Sequence, residues 1–583
     1  MQGPRTPGQR PQGTLRAGIR RFVPLMEGEH GAFTAAVVAI TISSLAALVG
    51  PIIVGRTIDT FIRSRDSRGL LAYSALLLVV YLGGVAASYL QIRTMGAVGR
   101  RMLFRLRNNV FTKLQELPVA FFNQNKAGDL ISRLNNDTDK LNQFVSQALM
   151  QFVGSLFLIT GAGIFLVILS LRLGVAALLP ALGVMLVTQG TSAWIKHKNM
   201  KSLQTLGGLS SEVQENLNNF KVIVAFNRVD YFRAKFGSAN DRNFAASVGS
   251  GLANGVFMPL YGFASHLAQL IVVVYGIYLI GQGNITIGLL IGFLMYVNNF
   301  YSPLRQLATV WASFQLALAA LDRISEVLAL ESDLPVLPGD PRQSAFALEF
   351  RRVHFHYPGG GEVLRDVSFE LETGKAYALV GPTGGGKTTT ASLMARLYDP
   401  SQGEVLLDGR DIRSYSPEER ARKIGFILQD PFLFTGTVRD NILYGNEQYK
   451  NYTTEQLTAV LEQANLARLL SRFSEGLETK VATSGNSISL GQKQLIAFIR
   501  AALRQPELLI LDEATANIDT VTEELLQEIL NKLPATTTKV IIAHRLNTID
   551  NVDQIFFVNS GEITLAGSME HAVDMLLHEK RAS

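Results

Sequence analysis

No cysteine occurs among the 583 residues. That excludes a disulfide framework, a thiol nucleophile, a Cys-ligated zinc and an iron–sulfur cluster, and it leaves the redox compartment open, since an engineered cysteine-free chain reads the same way. Charge is scarce as well: Asp, Glu, Lys and Arg make up 17% of the residues against 48% hydrophobic, with a mean hydropathy of +0.20. Such a chain is too apolar to be wholly soluble and is neither disordered nor collagen-like. What charge there is leans positive, at +6 with a pI near 9.2. Nucleic-acid binding and a cytoplasmic collar of Lys and Arg both produce that lean, and the apolar runs below favour the collar. Residues 1–30 lack the apolar stretch and small-residue cleavage site of a secretory signal. Their arginines Arg5, Arg10, Arg16, Arg20 and Arg21 leave two readings of 16–26, a basic helix on the inner membrane surface or a disordered tail. No internal repeat is visible, so if six spans enclose half a pathway, another chain supplies the other half.

The long hydrophobic runs are 31–55, 70–92, 141–171, 173–195 and 243–304, none containing Asp, Glu, Lys or Arg. Each exceeds the roughly 20 residues that cross a bilayer as a helix. The last is long enough for two spans and is broken by Gly281-Gln282-Gly283-Asn284, a turn signal, so six spans are expected. Nine Lys/Arg fall between spans two and three and eight between spans four and five, which places both loops and both termini in the cytoplasm. Arg56, Arg63, Arg65 and Arg68 oppose that rule on the outer side and are outvoted. Both cytoplasmic loops keep apolar residues at helical spacing, as at Met102, Leu106, Val110 and Leu114, so they read as helices projecting below the membrane. Pro335, Pro338, Gly339 and Pro341 then mark a linker. The expected division is a tail over 1–30, a membrane domain over 31–330, a linker over 331–345 and a nucleotide-binding domain over 346–583.

In the last of these, Gly381-Pro382-Thr383-Gly384-Gly385-Gly386-Lys387-Thr388 follows the apolar strand 376–380 and opens a helix. It fits the phosphate-loop pattern, in which glycines turn backbone N–H groups towards phosphates, the lysine neutralises the β and γ oxygens and the threonine hydroxyl faces Mg²⁺. Leu508-Leu509-Ile510-Leu511-Asp512-Glu513 is a buried-type strand delivering two acids to the nucleotide crevice. Asp512 is expected to support Mg²⁺ and Glu513 to polarise the attacking water. Alone, those acids read equally well as a solvated strand cap; beside the phosphate loop the catalytic reading prevails.

At this point nearly the whole chain resembles the ATP-binding cassette transporters, in particular bacterial half-transporters of the exporter type. Tyr357, in Val353-His354-Phe355-His356-Tyr357, looks like the aromatic that stacks on adenine. Gln429, in Leu428-Gln429-Asp430-Pro431, looks like the glutamine that helps hold Mg²⁺ and reports nucleotide to the membrane domain. Ser489-Leu490-Gly491-Gln492 stands where the signature loop belongs, His544 looks like the switch histidine, and Asp519 lies in the segment crossing to the partner. Singly, Tyr357, Gln429 and His544 read as a core aromatic, a turn residue and a satisfied histidine; their order around Lys387 and Glu513 reverses that.

The resemblance implies a six-helix all-α transmembrane domain of the type IV exporter fold followed by an α/β P-loop domain. It implies ATP and Mg²⁺ as ligands, with Gly381, Thr383, Gly384, Gly386, Lys387, Thr388, Thr389 and Gln429 around the nucleotide. It also implies a second half-transporter whose Ser489, Gly491 and Gln492 cover that nucleotide, with Glu513 and His544 as the catalytic pair. Phe121-Phe122-Asn123-Gln124-Asn125-Lys126-Ala127-Gly128-Asp129 looks like the first coupling segment, with Gly128 and Asp129 as its candidate coupling residues, and a second lies within 211–226. The chain departs from the family at Leu490, where a glycine is usual, and it lacks the common glutamate near Thr483, which admits a heterodimer with unequal sites. No acid and no Lys or Arg lies within the spans, so a lipid or amphipathic compound suits them better than a highly charged ligand. His266 is the one ionisable imidazole there and a candidate for the substrate cavity, as are the aromatics Phe257, Tyr261, Tyr275, Phe293, Tyr296 and Phe300; a neutral imidazole hydrogen-bonding a neighbouring helix is the plainer alternative. The expected function is ATP-driven export, without nucleic-acid partners, from a bacterial inner membrane. Peptide export and an ATP-gated channel or regulator are its rivals.

Overall fold

The computed structural model describes residues 28–330, 334–339, 344–482, 488–512, 520–542, 552–567 and 570–575. They form two compact units, one of Met1–Gln115 with Gly128–Ala329 and one of Glu116–Ala127 with Leu330–Ser583.

Among the described residues of the first unit six helices are long and apolar enough to cross a membrane: His30–Ile62, Ser67–Glu116, Ala127–Leu169, Leu171–Asn218, Val229–Gly281 and Ile287–Leu328. The charged loops are helical continuations of the spans, and Met102, Leu106, Val110 and Leu114 are all buried along one of them. Span one closes through Asp66 N–H to the Phe61 carbonyl (3.0 Å) and Arg65 N–H to the Ile62 carbonyl (3.2 Å), with Arg65 left-handed at φ 57°. These paired bonds satisfy terminal carbonyls that would otherwise be orphaned. Asp66 then caps the next helix, its Oδ1 accepting from the N–H groups of Arg68 (3.0 Å) and Gly69 (3.2 Å). Spans three and four are joined by Ser170 alone, whose hydroxyl accepts from Leu173 N–H at 3.4 Å. The turn closes only because residue 174 is glycine: a Cβ there would stand 2.2 Å from the Leu166 carbonyl oxygen. At 281–284 the expected reversal is present, with Asn284 N–H on the Leu279 carbonyl (3.0 Å) and Gly283 N–H on that of Ile280 (2.9 Å).

Leu48, Ala162, Leu166, Ala177, Phe293 and Tyr296 belong to the core that holds these helices together. One polar contact inside it has a particular cause. Pro51 lies within span one and has no N–H, so the Ala47 carbonyl loses its helical partner. Asn299 of span six supplies the replacement, its Nδ2 donating to that carbonyl at 3.0 Å, while the Tyr296 hydroxyl donates to the neighbouring Leu48 carbonyl at 2.5 Å. In an apolar medium such a pairing fixes which faces meet.

Among its described residues the second unit carries twelve strands: β1 Phe346–His356, β2 Glu362–Glu372, β3 Ala376–Val380, β4 Gln402–Leu407, β5 Arg410–Asp411 and β6 Ile424–Ile427. The rest are β7 Gly436–Thr437, β8 Lys480–Val481, β9 Leu508–Asp512, β10 Thr538–Ile542, β11 Gln554–Asn559 and β12 Glu562–Leu565. They order as an antiparallel sheet β2-β1-β4-β5, a sheet β12-β11-β3-β10-β9-β6 that is parallel except at β12, and a short β7-β8 ladder. All five residues of β9 are buried. Alternation sends Leu508 and Ile510 into one apolar cluster, with β1, β2 and the helix Lys387–Met394. Leu509 and Leu511 go into another, with the helix Leu490–Ala502.

Replacing Asn299 by Ala should lower unfolding stability by roughly 1 kcal/mol, because it strands the Ala47 carbonyl. In the double variant P51A/N299A the restored N–H at 51 should recover most of that loss. Thermal unfolding of the four proteins in one detergent measures the coupling, and strictly additive effects would refute this origin of the contact.

Candidate functional site

β3 runs straight into 381–386 and then the helix Lys387–Met394, so the loop stands at the carboxyl edge of a parallel sheet with a helix N-terminus behind it. That arrangement suits an anion. Gly381 and Gly386 have φ of 147° and 115°, and a Cβ on Gly381 would lie 2.0 Å from the Val558 carbonyl oxygen. β11 therefore backs the loop, and Gly385, which the sequence pattern leaves as a spacer, accepts from Gly561 N–H at 3.1 Å. Lys387 is buried and donates to the carbonyls of Gly381 (2.8 Å) and Pro382 (3.0 Å). The Thr388 hydroxyl donates to Asp512 Oδ1 at 3.4 Å, although 124 residues separate them. Asp512 ends β9 and is itself buried. An oxygen-only pair of hydroxyl and carboxylate beside a phosphate loop is a donor set that fits Mg²⁺.

Thr383 and Gly384 are the exposed residues of the loop, ahead of the buried Gly385 and Gly386. Thr389, in the first turn of the helix, is bonded to Tyr357 through their hydroxyls at 3.0 Å. Burial pushes the Tyr357 phenol above its ordinary pKa, so it stays protonated. Its ring meets Phe355 and Tyr398 edge-on at 4.9 and 5.2 Å. Tyr398 has no place in the sequence reading. Its hydroxyl accepts from Asn123 Nδ2 at 2.8 Å, which joins the helix Val119–Gln124 of the coupling segment to the aromatic cluster around Tyr357 within the second unit. No short-range motif announces a partner 275 residues away.

Gln429 follows β6, which pairs in parallel with β9 so that Ile427 stands beside Leu511; it thus shares an edge with Asp512. Arg500 pins the loop beyond it, donating to the Phe432 carbonyl (3.2 Å) and to the Asn441 carbonyl (2.8 Å) and side chain (3.1 Å). Arg500 belongs to Leu490–Ala502, the helix that the signature opens. Ser489 caps that helix in a reciprocal box: its Oγ accepts from Gln492 N–H (3.2 Å) and its own N–H donates to Gln492 Oε1 (2.9 Å). Gln492 Nε2 meanwhile donates to the Arg472 carbonyl at 2.7 Å, so this side chain is committed to shaping the loop. Leu490 occupies the first helical position with an exposed side chain; that site makes no demand for a left-handed residue, which explains how the departure from glycine is accommodated. Ser489 and Gly491 stand over a different apolar cluster from the one beneath the phosphate loop. Glu513, Asp519 and His544 lie outside the described residues.

In the first unit Gly128 and Asp129 lie in the helix Ala127–Ser132, where Asp129 pairs with Arg133 and Arg323. A cavity of about 560 Å³ opens between spans four, five and six, lined by Leu178, Leu182, Met185, Tyr261, Phe300 and Leu304 with Thr188 and Gln189. Of the expected aromatics, Tyr261 and Phe300 reach it, whereas Phe293 and Tyr296 are buried in the bundle core, Tyr275 packs against that core, and the Phe257 side chain is outside the described ones. His266 is exposed on its helix and is not among the residues lining the cavity.

The chain matches family models for the ABC transporter transmembrane region over residues 33–304 and for the ABC transporter over 364–516. It is 33% identical to an uncharacterized ABC transporter ATP-binding protein, YfiC, of Bacillus subtilis, covering 95% of this chain and 92% of that one. It is 34% identical to a fatty acid ABC transporter ATP-binding/permease protein of Mycobacterium bovis over 85% of this chain and 78% of that one. With a multidrug resistance ABC transporter ATP-binding and permease protein of Lactococcus lactis it shares 31% identity over 96% and 94% of the two chains. Six membrane-capable helices, a cassette with its phosphate loop and relatives aligned nearly end to end lead to one conclusion: the chain is a multi-pass membrane protein and an ATPase that belongs to the ABC transporters, as a half-transporter of the exporter type.

Proposed function

We propose that this half-transporter binds MgATP between its own phosphate loop and the signature loop of a second half, and uses hydrolysis to move a weakly polar amphiphile outward across a bacterial inner membrane. The observation that carries the reading is the contact between Thr388 and Asp512 at the mouth of the phosphate loop. Thr388, Asp512 and Gln429 would hold the Mg²⁺, which when bound neutralises charge on the β and γ oxygens. Lys387 binds the same oxygens, and Tyr357 offers its ring to adenine. Glu513 accepts a proton from the water that attacks the γ-phosphorus as the bond to the ADP oxygen breaks, and His544 hydrogen-bonds the γ-phosphate. Ser489 and Gly491 of the second half complete the site, and Asp519 faces that partner. The exposed apolar helix Phe220–Ala225, with Phe220, Val222 and Val224 solvent-accessible, supports a docking role in the assembled transporter.

The cavity between spans four, five and six supports the substrate class. Among the described residues no charged side chain lines it, and the Thr188 hydroxyl is buried there without a described hydrogen-bond partner. An apolar body carrying one neutral hydrogen-bonding group satisfies both features. The relatives are named for fatty acids and for multidrug resistance; the absence of a cation in this lining favours a neutral head over a carboxylate.

Glu513→Gln should lower kcat by about 100-fold or more while ATP stays bound, since water activation goes and phosphate binding remains; unchanged turnover would sink the assignment. Lys387→Ala should instead weaken ATP binding, by at least about tenfold (~1.4 kcal/mol), as read by equilibrium binding of a fluorescent ATP analogue. For the cavity, ATPase activity in nanodiscs should respond to dodecanol more than to dodecanoate, which differs in its charged head. Met185→Trp, which fills the space, should remove that response and keep basal turnover within about twofold. An equal response to both compounds, or one that survives the tryptophan, would reject the cavity as the substrate site.

A further inference from the structure

The chain passes between its two compact units three times, at 115/116, 127/128 and 329/330. Two of those passages leave the first unit from a single ionic knot. Asp129 follows the second passage directly; its Oδ2 accepts from Arg133 Nε at 2.9 Å and its Oδ1 from Arg323 Nη2 at 2.6 Å. Arg323 stands in the last turns of span six, shortly before the third passage, and its Nε is 3.3 Å from Asp137 Oδ2. The other oxygen of Asp137 accepts from Lys140 Nζ at 2.9 Å, and the Asp137 side chain is only 1% exposed. Arg133 closes the knot from below: its Nη1 donates to the Arg323 carbonyl at 3.2 Å and lies 3.5 Å from Glu326 Oε2.

Arg323 therefore meets two carboxylates with two nitrogens of one planar guanidinium: Nη2 donates to Asp129 at the root of the coupling segment, and Nε forms an ion pair with Asp137 on the π-helical turn Arg133–Asp137. A lysine has one compact ammonium on a flexible stem and cannot span both in fixed geometry. Burying the Asp137 carboxylate is costly without such partners.

We propose that Arg323 is a positioning residue that makes the root of the first coupling segment and the last turns of span six move as one body, so that displacement of the cassette enters the helix bundle through both connections together. This rests on the ATP-driven reading above. Without the tie, each connection would yield separately and cassette closure would be absorbed locally. Basal hydrolysis does not need the tie, because the described side-chain partners of Arg323, Asp129 and Asp137, are not residues of the nucleotide site.

The cysteine-free chain permits a direct test. Spin labels at Ile131→Cys and Ser325→Cys, both exposed positions, report the distance across the knot by pulsed EPR in nanodiscs, with unlabelled protein added to suppress signals between chains. In the otherwise unsubstituted protein the distance should be narrow and identical without nucleotide and after trapping with ATP and vanadate. In R323M it should broaden and shift on trapping, with basal kcat and the KM for ATP within about twofold of the parent. R323K should broaden it without nucleotide as well, since charge alone does not restore the fork. Should methionine at 323 prevent folding, Asp129→Asn, isosteric and uncharged, should give the same nucleotide-dependent shift. A distance in R323M or D129N as narrow and as indifferent to trapping as in the parent overturns the proposal. Failure of the parent to trap nucleotide overturns the ATP-driven reading, and the inference with it.

Discussion

Backbone polar groups in a membrane-spanning helix have no water to fall back on, and much of the first unit follows from that constraint. It explains why the reversals between spans are so short and so fully bonded, with Asp66, Ser170 and Gly283 each placed where a helix end needs an acceptor, a cap or a left-handed residue. It also explains the meeting of spans one and six. Pro51 frees a carbonyl, and the Asn299 amide that satisfies it sets the rotation of one helix against the other. A helix break and a specific interhelical contact are thus one feature seen from two sides.

In the cassette the corresponding constraint is the alternation of a fully buried strand. β9 feeds one apolar cluster with Leu508 and Ile510 and another with Leu509 and Leu511, and it ends on Asp512 beside Thr388. The phosphate loop and the signature helix therefore stand on opposite faces of a shared wall. Arg500 ties that helix to the loop beyond Gln429, and Asn123 ties the coupling segment to the aromatics around Tyr357. Within the second unit, the coupling segment is thus joined to the aromatics beside the phosphate loop by a single side-chain hydrogen bond among the described contacts.

How much of this was legible depends on how local each signal is. The spans are contiguous runs, the phosphate loop is eight consecutive residues, and β3 shows in its composition; all of these stand where the sequence placed them. The roles given to Tyr357 and Thr389 came separately, and their direct hydrogen bond was not foreseen. Tyr398, Val558 and Arg323 were missed because each acts through a partner far along the chain, by a single hydroxyl, a backbone carbonyl or two nitrogens of a guanidinium. Leu490 departs from the glycine usual in the family, and only the structure shows that it takes the first helical position with its side chain exposed. Of the five aromatics named for the cavity whose side chains are described, two line it; spacing along one helix does not say which neighbour a ring will meet.

The sequence by itself determined the apolar spans, their approximate ends, the phosphate loop and the class of protein, because each is written in adjacent residues and needs only local physics. Tertiary structure alone decided which distant groups meet: Thr388 with Asp512, Asn299 with the Ala47 carbonyl, and Arg323 with both Asp129 and Asp137. Those pairings depend on how strands and helices from far parts of the chain are packed side by side, which no pattern of neighbours along the sequence encodes.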